Sequence, residues 1–228
     1  LFVQVERTTT REPMLRLGLL TNRSVAGANA VNLLVGAAMA AAFYFVSLYV
    51  QHVLGHGPAL AGLDFLPFAL GVVAGSVLAI RLGYRMPART LLIGGALLTA
   101  AGFAWFATIS PQGSFGTDVV GPSLVASVGF GLCLAPLVST ATVGVAASEA
   151  GVASALLNSS RQIGASLGLA VLGTAALHRI GDATTPQARS DGYALALALA
   201  AALLVAAAAI AGAVLPRTSD RLPERSTT

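Results

Sequence analysis

The sequence predicts an all-α membrane protein of six transmembrane helices, and three observations carry that prediction. Of its 228 residues, 56% are hydrophobic and 10% charged, with a mean hydropathy of +0.80. A water-soluble domain carries about 25% charged residues, so too few are present to cover a water-facing surface. Stretches with at most one charged residue recur six times, each near or above the roughly 20 residues that a helix needs to cross about 30 Å of hydrocarbon. The arginines, finally, collect in the short connections on one side of those stretches.

The first two spans come from one apolar run interrupted by Gly55-His56-Gly57-Pro58. A Gly/Pro cluster ends one helix and starts the next, which gives spans at 25–50 and 59–80. The third, 90–109, stops before Ser110-Pro111-Gln112-Gly113, and the fourth covers 119–143. The fifth, 151–177, contains one charge, Arg161. In the sixth, 192–215, the alternation Ala194-Leu195-Ala196-Leu197 imitates a strand, but length and alanine content favour helix. Backbone polar groups in lipid must be paired within a helix or a closed barrel, and these runs are too long and too evenly apolar for barrel strands.

All thirteen basic residues are Arg. Arg7, Arg11, Arg16, Arg23, Arg81, Arg85, Arg89, Arg217, Arg221 and Arg225 lie on one side of the spans, Arg179 and Arg189 on the other. The positive-inside rule makes the arginine-rich side cytoplasmic. An even number of spans then puts both ends there, in a multi-pass protein of the cell membrane surrounded by lipid. The net charge of +4 is scattered over loops between apolar runs, which argues against nucleic acid as a partner. Cys133, the single cysteine, sits in an apolar run and leaves neither a disulfide framework nor a Cys-based metal site. Residues 1–24 read as the end of a preceding helix, at Leu1-Phe2-Val3, followed by a cytoplasmic linker. The chain is therefore expected to be a fragment, with 25–215 as its transmembrane bundle and 216–228 as a cytoplasmic tail.

No HExxH, Walker loop, GxSxG or His/Cys cluster occurs, so neither an enzyme nor a metal or cofactor site is expected. His52 and His56 are four residues apart, but Gly55 and Gly57-Pro58 break that turn, and they read as polar loop residues. Inside the first span Asn29, Asn32, Gly36, Met39, Phe43 and Ser47 recur at steps of three or four and form one stripe. Such a stripe faces other helices or a water-filled cavity, so interhelical hydrogen bonding and a substrate path both fit. Ser123, Ser127 and Gly131 repeat the pattern in the fourth span. Gly71 with Gly75, and Gly164 with Gly168, are GxxxG pairs that let helices approach closely.

Two charges lie within spans. Arg161, in the polar turn Asn158-Ser159-Ser160-Arg161-Gln162, sits roughly 15 Å deep and costs about 2.5–3.5 kcal/mol at a helix centre. Either it faces the protein interior and pairs with a carboxylate or backbone carbonyls, or the helix starts later and the side chain snorkels to the headgroups. Asp64, early in the second span, is a possible proton-carrying carboxylate, although its depth suits a hydrated interfacial residue better.

The run from Gly151 to Ala170, with Asn158-Ser159-Ser160-Arg161-Gln162-Ile163-Gly164 and Gly168 at its centre, resembles the penultimate helix of major facilitator transporters. It is most similar to the fourteen-helix drug–proton antiporter branch. Glu12-Pro13-Met14-Leu15-Arg16-Leu17 through Asn22-Arg23-Ser24 resembles that branch's linker before its last six helices, and Gly62-Leu63 with Leu66-Pro67 resembles the start of the next helix. Arg81-Leu82-Gly83-Tyr84-Arg85 resembles a degenerate copy of the superfamily's cytoplasmic basic loop, with Ile80 where an acidic residue often stands in the first copy.

The resemblance implies the C-terminal six-helix bundle of a larger transporter whose N-terminal half is its partner. Residues 25–109 and 119–215 would be inverted three-helix repeats, with substrate near the midplane. It further implies proton-coupled efflux of small amphipathic compounds or drugs. The substrate path would then run along Asn29, Asn32, Met39, Phe43 and Ser47 of the first helix and Ser127 and Gly131 of the fourth. A non-transporting module, either a truncated remnant or an assembly partner, is the rival expectation.

Overall fold

A computed structural model describes residues 22–183 and 185–215. The expected upstream helix end and most of the linker, at 1–21, and the tail at 216–228 lie outside those residues. Seven α-helices follow in order: α1 (Arg23–His52), α2 (Pro58–Leu63), α3 (Leu66–Gly83), α4 (Ala88–Phe106), α5 (Gly121–Ala141), α6 (Ala150–Ile180) and α7 (Pro186–Val214). A π-helical turn, Gly116–Val120, leads into α5, and a 3-10 turn, Ala147–Glu149, leads into α6. With α2 and α3 taken together, and the π turn joined to α5, six helical segments are long and apolar enough to cross a membrane. No strand occurs among the described residues.

Several boundaries differ from the expected ones, for local reasons. α1 begins at Arg23, inside the expected linker, because Asn22 caps it: its side-chain oxygen accepts from the amides of Ser24 (2.9 Å) and Val25 (3.4 Å). α7 starts at Pro186, well before 192, with Thr185 accepting from the Ala188 amide and Pro186 in the first turn. A search for charge-free stretches stops at Arg189 and Asp191, whereas helical hydrogen bonding passes through them. α4 ends at Phe106, short of 109. The second span breaks at Asp64-Phe65, because Pro67 in the first turn of α3 has no amide to offer the preceding turn.

α1 is the central element, packed on α6, α7 and α5, while α4 packs on α5 and α7, and α3 leans on α5. Two crossings are alike. Where α1 meets α6, Gly36 lies on the Arg161 carbonyl, Gly164 on the Leu33 carbonyl and Gly168 on the Ala37 backbone. Where α5 meets α3, Gly131 lies on the Val72 carbonyl, Gly71 on Ser127 and Gly75 on the Val128 carbonyl. At each crossing one glycine of a central helix faces the GxxxG pair of its neighbour, with no room for a Cβ on either side.

One end of the bundle gathers Arg23, Arg81, Arg85 and Arg89. Arg23 and Arg89 donate to the last carbonyls of α7, those of Ala213 (3.1 Å) and Gly212 respectively. Cations suit that end because the carbonyls of a helix C-terminus are unpaired and carry partial negative charge. Asn22 ties the same end to Val143 (3.2 Å). The opposite end carries His52, His56, Asp64, Asp118 and the α6–α7 connection.

Candidate functional site

The first-span stripe divides between two surroundings. Its early part is helix contact. Asn32, 4% exposed, donates from Nδ2 to the Leu157 carbonyl at 2.6 Å and lies 3.5 Å from Ser160 Oγ. Asn29 donates to the Val25 carbonyl of its own helix (2.8 Å), and its Oδ1 is buried with no partner among the described residues.

The later part lines a cavity. Met39 and Phe43, with Ala42 and Val46, meet Phe65 and Phe68 from the second span, Phe103 and Phe106 from α4, and Ser123 from α5, around a small cavity of about 10 Å³. Phe43 stacks on Phe65 with centroids 5.4 Å apart and meets Phe68 edge-on at 4.9 Å. Phe43 is 41% exposed, so the cavity opens to the surface there. The only side-chain heteroatoms in this lining are the sulfur of Met39 and the hydroxyl of Ser123. The lining therefore presents apolar and aromatic surface and no fixed charge.

Three expected path residues lie elsewhere within this bundle. Ser127 is fully buried against Gly71 and bonds to the Leu124 carbonyl (3.1 Å). Gly131 is occupied by the α3 backbone. Ser47 accepts from Gln51 Nε2 (2.8 Å) and does not line the aromatic cavity. Spacing along one helix finds a face but not what covers it. Phe65, Phe68, Phe103 and Phe106 come from other elements and were not expected; Phe103 and Phe106, three apart on α4, were the available signal.

The intramembrane polar cluster is exposed on the bundle. α6 starts at Ala150, so a late helix start does not account for Arg161, which lies eleven residues, about 16 Å, along it. Its guanidinium donates to Asn158 Oδ1 at 3.0 Å, not to a carboxylate or a backbone carbonyl, and the side chain is exposed, as are Asn158 and Gln162. Among the described residues the guanidinium thus meets neither of the partners expected for it. α6 and α3 are the least covered crossings.

Asp64 also departs from expectation. It is buried, 6% exposed, rather than hydrated. Its Oδ2 lies 2.6 Å from Nδ1 of His56, which is therefore more than a loop polar group. Arg81, Gly83 and Arg85 are exposed at the α3–α4 turn. Among the described residues, no group of three or more His, Cys, Asp or Glu that could hold a metal ion occurs.

Comparison with known proteins places these features in a family context. The model of the Major Facilitator Superfamily matches residues 4–169. The cephamycin export protein of Amycolatopsis lactamdurans is 38% identical over 75% of this chain and 35% of its own length. The puromycin resistance protein of Streptomyces alboniger is 33% identical over 98% of this chain and 46% of its own length. A multidrug resistance protein of Mycobacterium tuberculosis is 34% identical over 76% of this chain and 32% of its own length. The chain thus spans less than half the length of each of these relatives.

Proposed function

Because this chain belongs to the major facilitator superfamily, we propose that it forms the C-terminal six-helix half of a secondary active transporter that exports small amphipathic compounds in exchange for protons. The observation that carries this reading is the aromatic cavity around Met39, Phe43, Phe65 and Phe68. At about 10 Å³ it encloses room for about one water and no ligand by itself, so in this reading it is one wall of a chamber that the other half completes. Apolar, adaptable lining suits a transporter that accepts several compounds, and export matches the name of the cephamycin relative.

Residues 25–109 and 119–215 are the two inverted repeats in this reading, and the paired glycine crossings support it: the first helix of each triplet meets the middle helix of the other. The other half covers the face of α6 that bears Asn158, Arg161 and Gln162. An arginine this deep facing hydrocarbon costs about 2.5–3.5 kcal/mol, and a polar partner surface offsets that cost. The arginine-rich end, with Arg81 and Arg85, is cytoplasmic, so both termini are too. No covalent chemistry or cofactor takes part.

The test is accumulation of puromycin, and of a fluorescent amphipathic dye, in cells expressing the full-length protein, with and without a protonophore. Low accumulation that the protonophore restores is expected. Equal accumulation with and without the protein overturns export, and low accumulation indifferent to the protonophore overturns proton coupling.

A further inference from the structure

We propose that His56 and Asp64 form a proton-binding site on the outer side of the membrane, whose occupancy fastens the α1–α2 loop to the break in the second span. The sidedness rests on the transporter reading above; the geometry does not.

The loop is built to deliver His56. α1 ends at His52, and Gly55, at a φ of +75° that only glycine adopts freely, lets the His56 amide return to the Val50 carbonyl (3.1 Å). The ring then lies 2.6 Å from the Asp64 carboxylate and 5.7 Å from the Phe115 ring. Asp64 is fixed by the helix break, where its amide caps α2 on the Leu60 carbonyl (2.9 Å). The Asp64 side chain is 7% exposed and that of His56 24%, so a proton from solution meets the imidazole first.

The other titratable groups at this end are Tyr49 and His52 on α1, Asp118 beyond Phe115, and His178, Arg179, Asp182, Arg189 and Asp191 around the α6–α7 connection. Asp118 is engaged by Thr117 (2.8 Å) and Tyr49 (3.3 Å). Among the described residues no arginine pairs with Asp64, so its charge is answered by His56 alone. An imidazole changes charge between about pH 5 and 8. Protonation of the imidazole turns a hydrogen bond to the carboxylate into an ion pair as well and tightens the loop as the outside acidifies.

The test uses the full-length protein in whole cells with an impermeant maleimide. Ala61, 3% exposed on α2 three residues before Asp64, serves as the reporter of loop lifting, and Leu60, 48% exposed, as the reference. The rate for Ala61→Cys divided by that for Leu60→Cys removes the maleimide's own pH dependence. This ratio is expected to fall about fivefold from about pH 8 to about pH 6, the size of the attraction between two partly exposed opposite charges. In His56→Gln and Asp64→Asn backgrounds, it should lose that dependence while Leu60→Cys labels as before. A flat ratio in the parent, or the same fall in His56→Gln, overturns the site. Labelling of Leu60→Cys only after permeabilisation overturns the outward sidedness. Substrate efflux is not part of the readout, so a protein that exports nothing still gives an answer.

Discussion

Gly36 of α1 lies against the backbone carbonyl of Arg161 on α6, in the space that a Cβ would fill. The one charge of the fifth span therefore sits on a turn that the central helix touches closely. Gly36→Val should force the two helices apart and cost about 1–3 kcal/mol, the usual penalty for overpacking. Gly131→Val, at the matching α5–α3 crossing, should cost about as much. Gly94 on α4 has nothing within reach of an added Cβ, so Gly94→Ala should be neutral or slightly stabilising. Thermal unfolding of the detergent-purified variants checks all three.

Asn32 ties the same pair of helices by donation to the Leu157 carbonyl. Polar bonds between membrane helices contribute about 0.6–2 kcal/mol, which sets the expected loss for Asn32→Ala. Asn32→Asp should cost more, because a carboxylate facing a carbonyl replaces a donor with a buried acceptor and adds charge. Asn29→Ala should cost less, since among the described residues Asn29 bonds only within its own helix. Denaturation of the three variants in the same detergent gives the order.

The six crossings were legible because lipid demands long charge-poor helices, and the break after Gly55 was legible because glycine and proline interrupt them. The first turns of α7 were not: Arg189 and Asp191 end an apolar stretch without ending a helix. The cavity was half legible. Met39 and Phe43 belong to a periodic stripe, but α1 is covered on nearly every side, so periodicity could not say that Asn32 meets α6 while Phe43 meets Phe65 and Phe68. The His56–Asp64 pair was hidden for a related reason. It spans a helix break, and its approach depends on the backbone that Gly55 adopts.

Arg161 bonds only within its own helix among the described residues, so Arg161→Ala should leave these six spans folded and ease insertion by about 2.5–3.5 kcal/mol. If the exposed face of α6 is where the other half sits, export should nonetheless be lost. Arg161→Lys should recover part of it, keeping the charge without the planar fork. Expression, thermal unfolding and compound accumulation, measured together, separate the two effects. A variant that folds and exports normally rules out a central role for the guanidinium.

Phe43 is the aromatic common to two ring contacts, stacked on Phe65 and edge-on to Phe68. Aromatic pairs contribute about 0.5–1.5 kcal/mol beyond their buried area. Phe43→Ala should therefore weaken a flat aromatic ligand by up to about tenfold and a non-aromatic amphiphile of the same size by less. Ser47 lies one turn further along α1 but is turned to Gln51, so Ser47→Ala should leave both ligands unaffected. A substrate path running evenly along the stripe would make the two substitutions comparable. Affinities of the purified full-length protein for one aromatic and one aliphatic amphiphile decide between an even path and a cavity that begins at Met39.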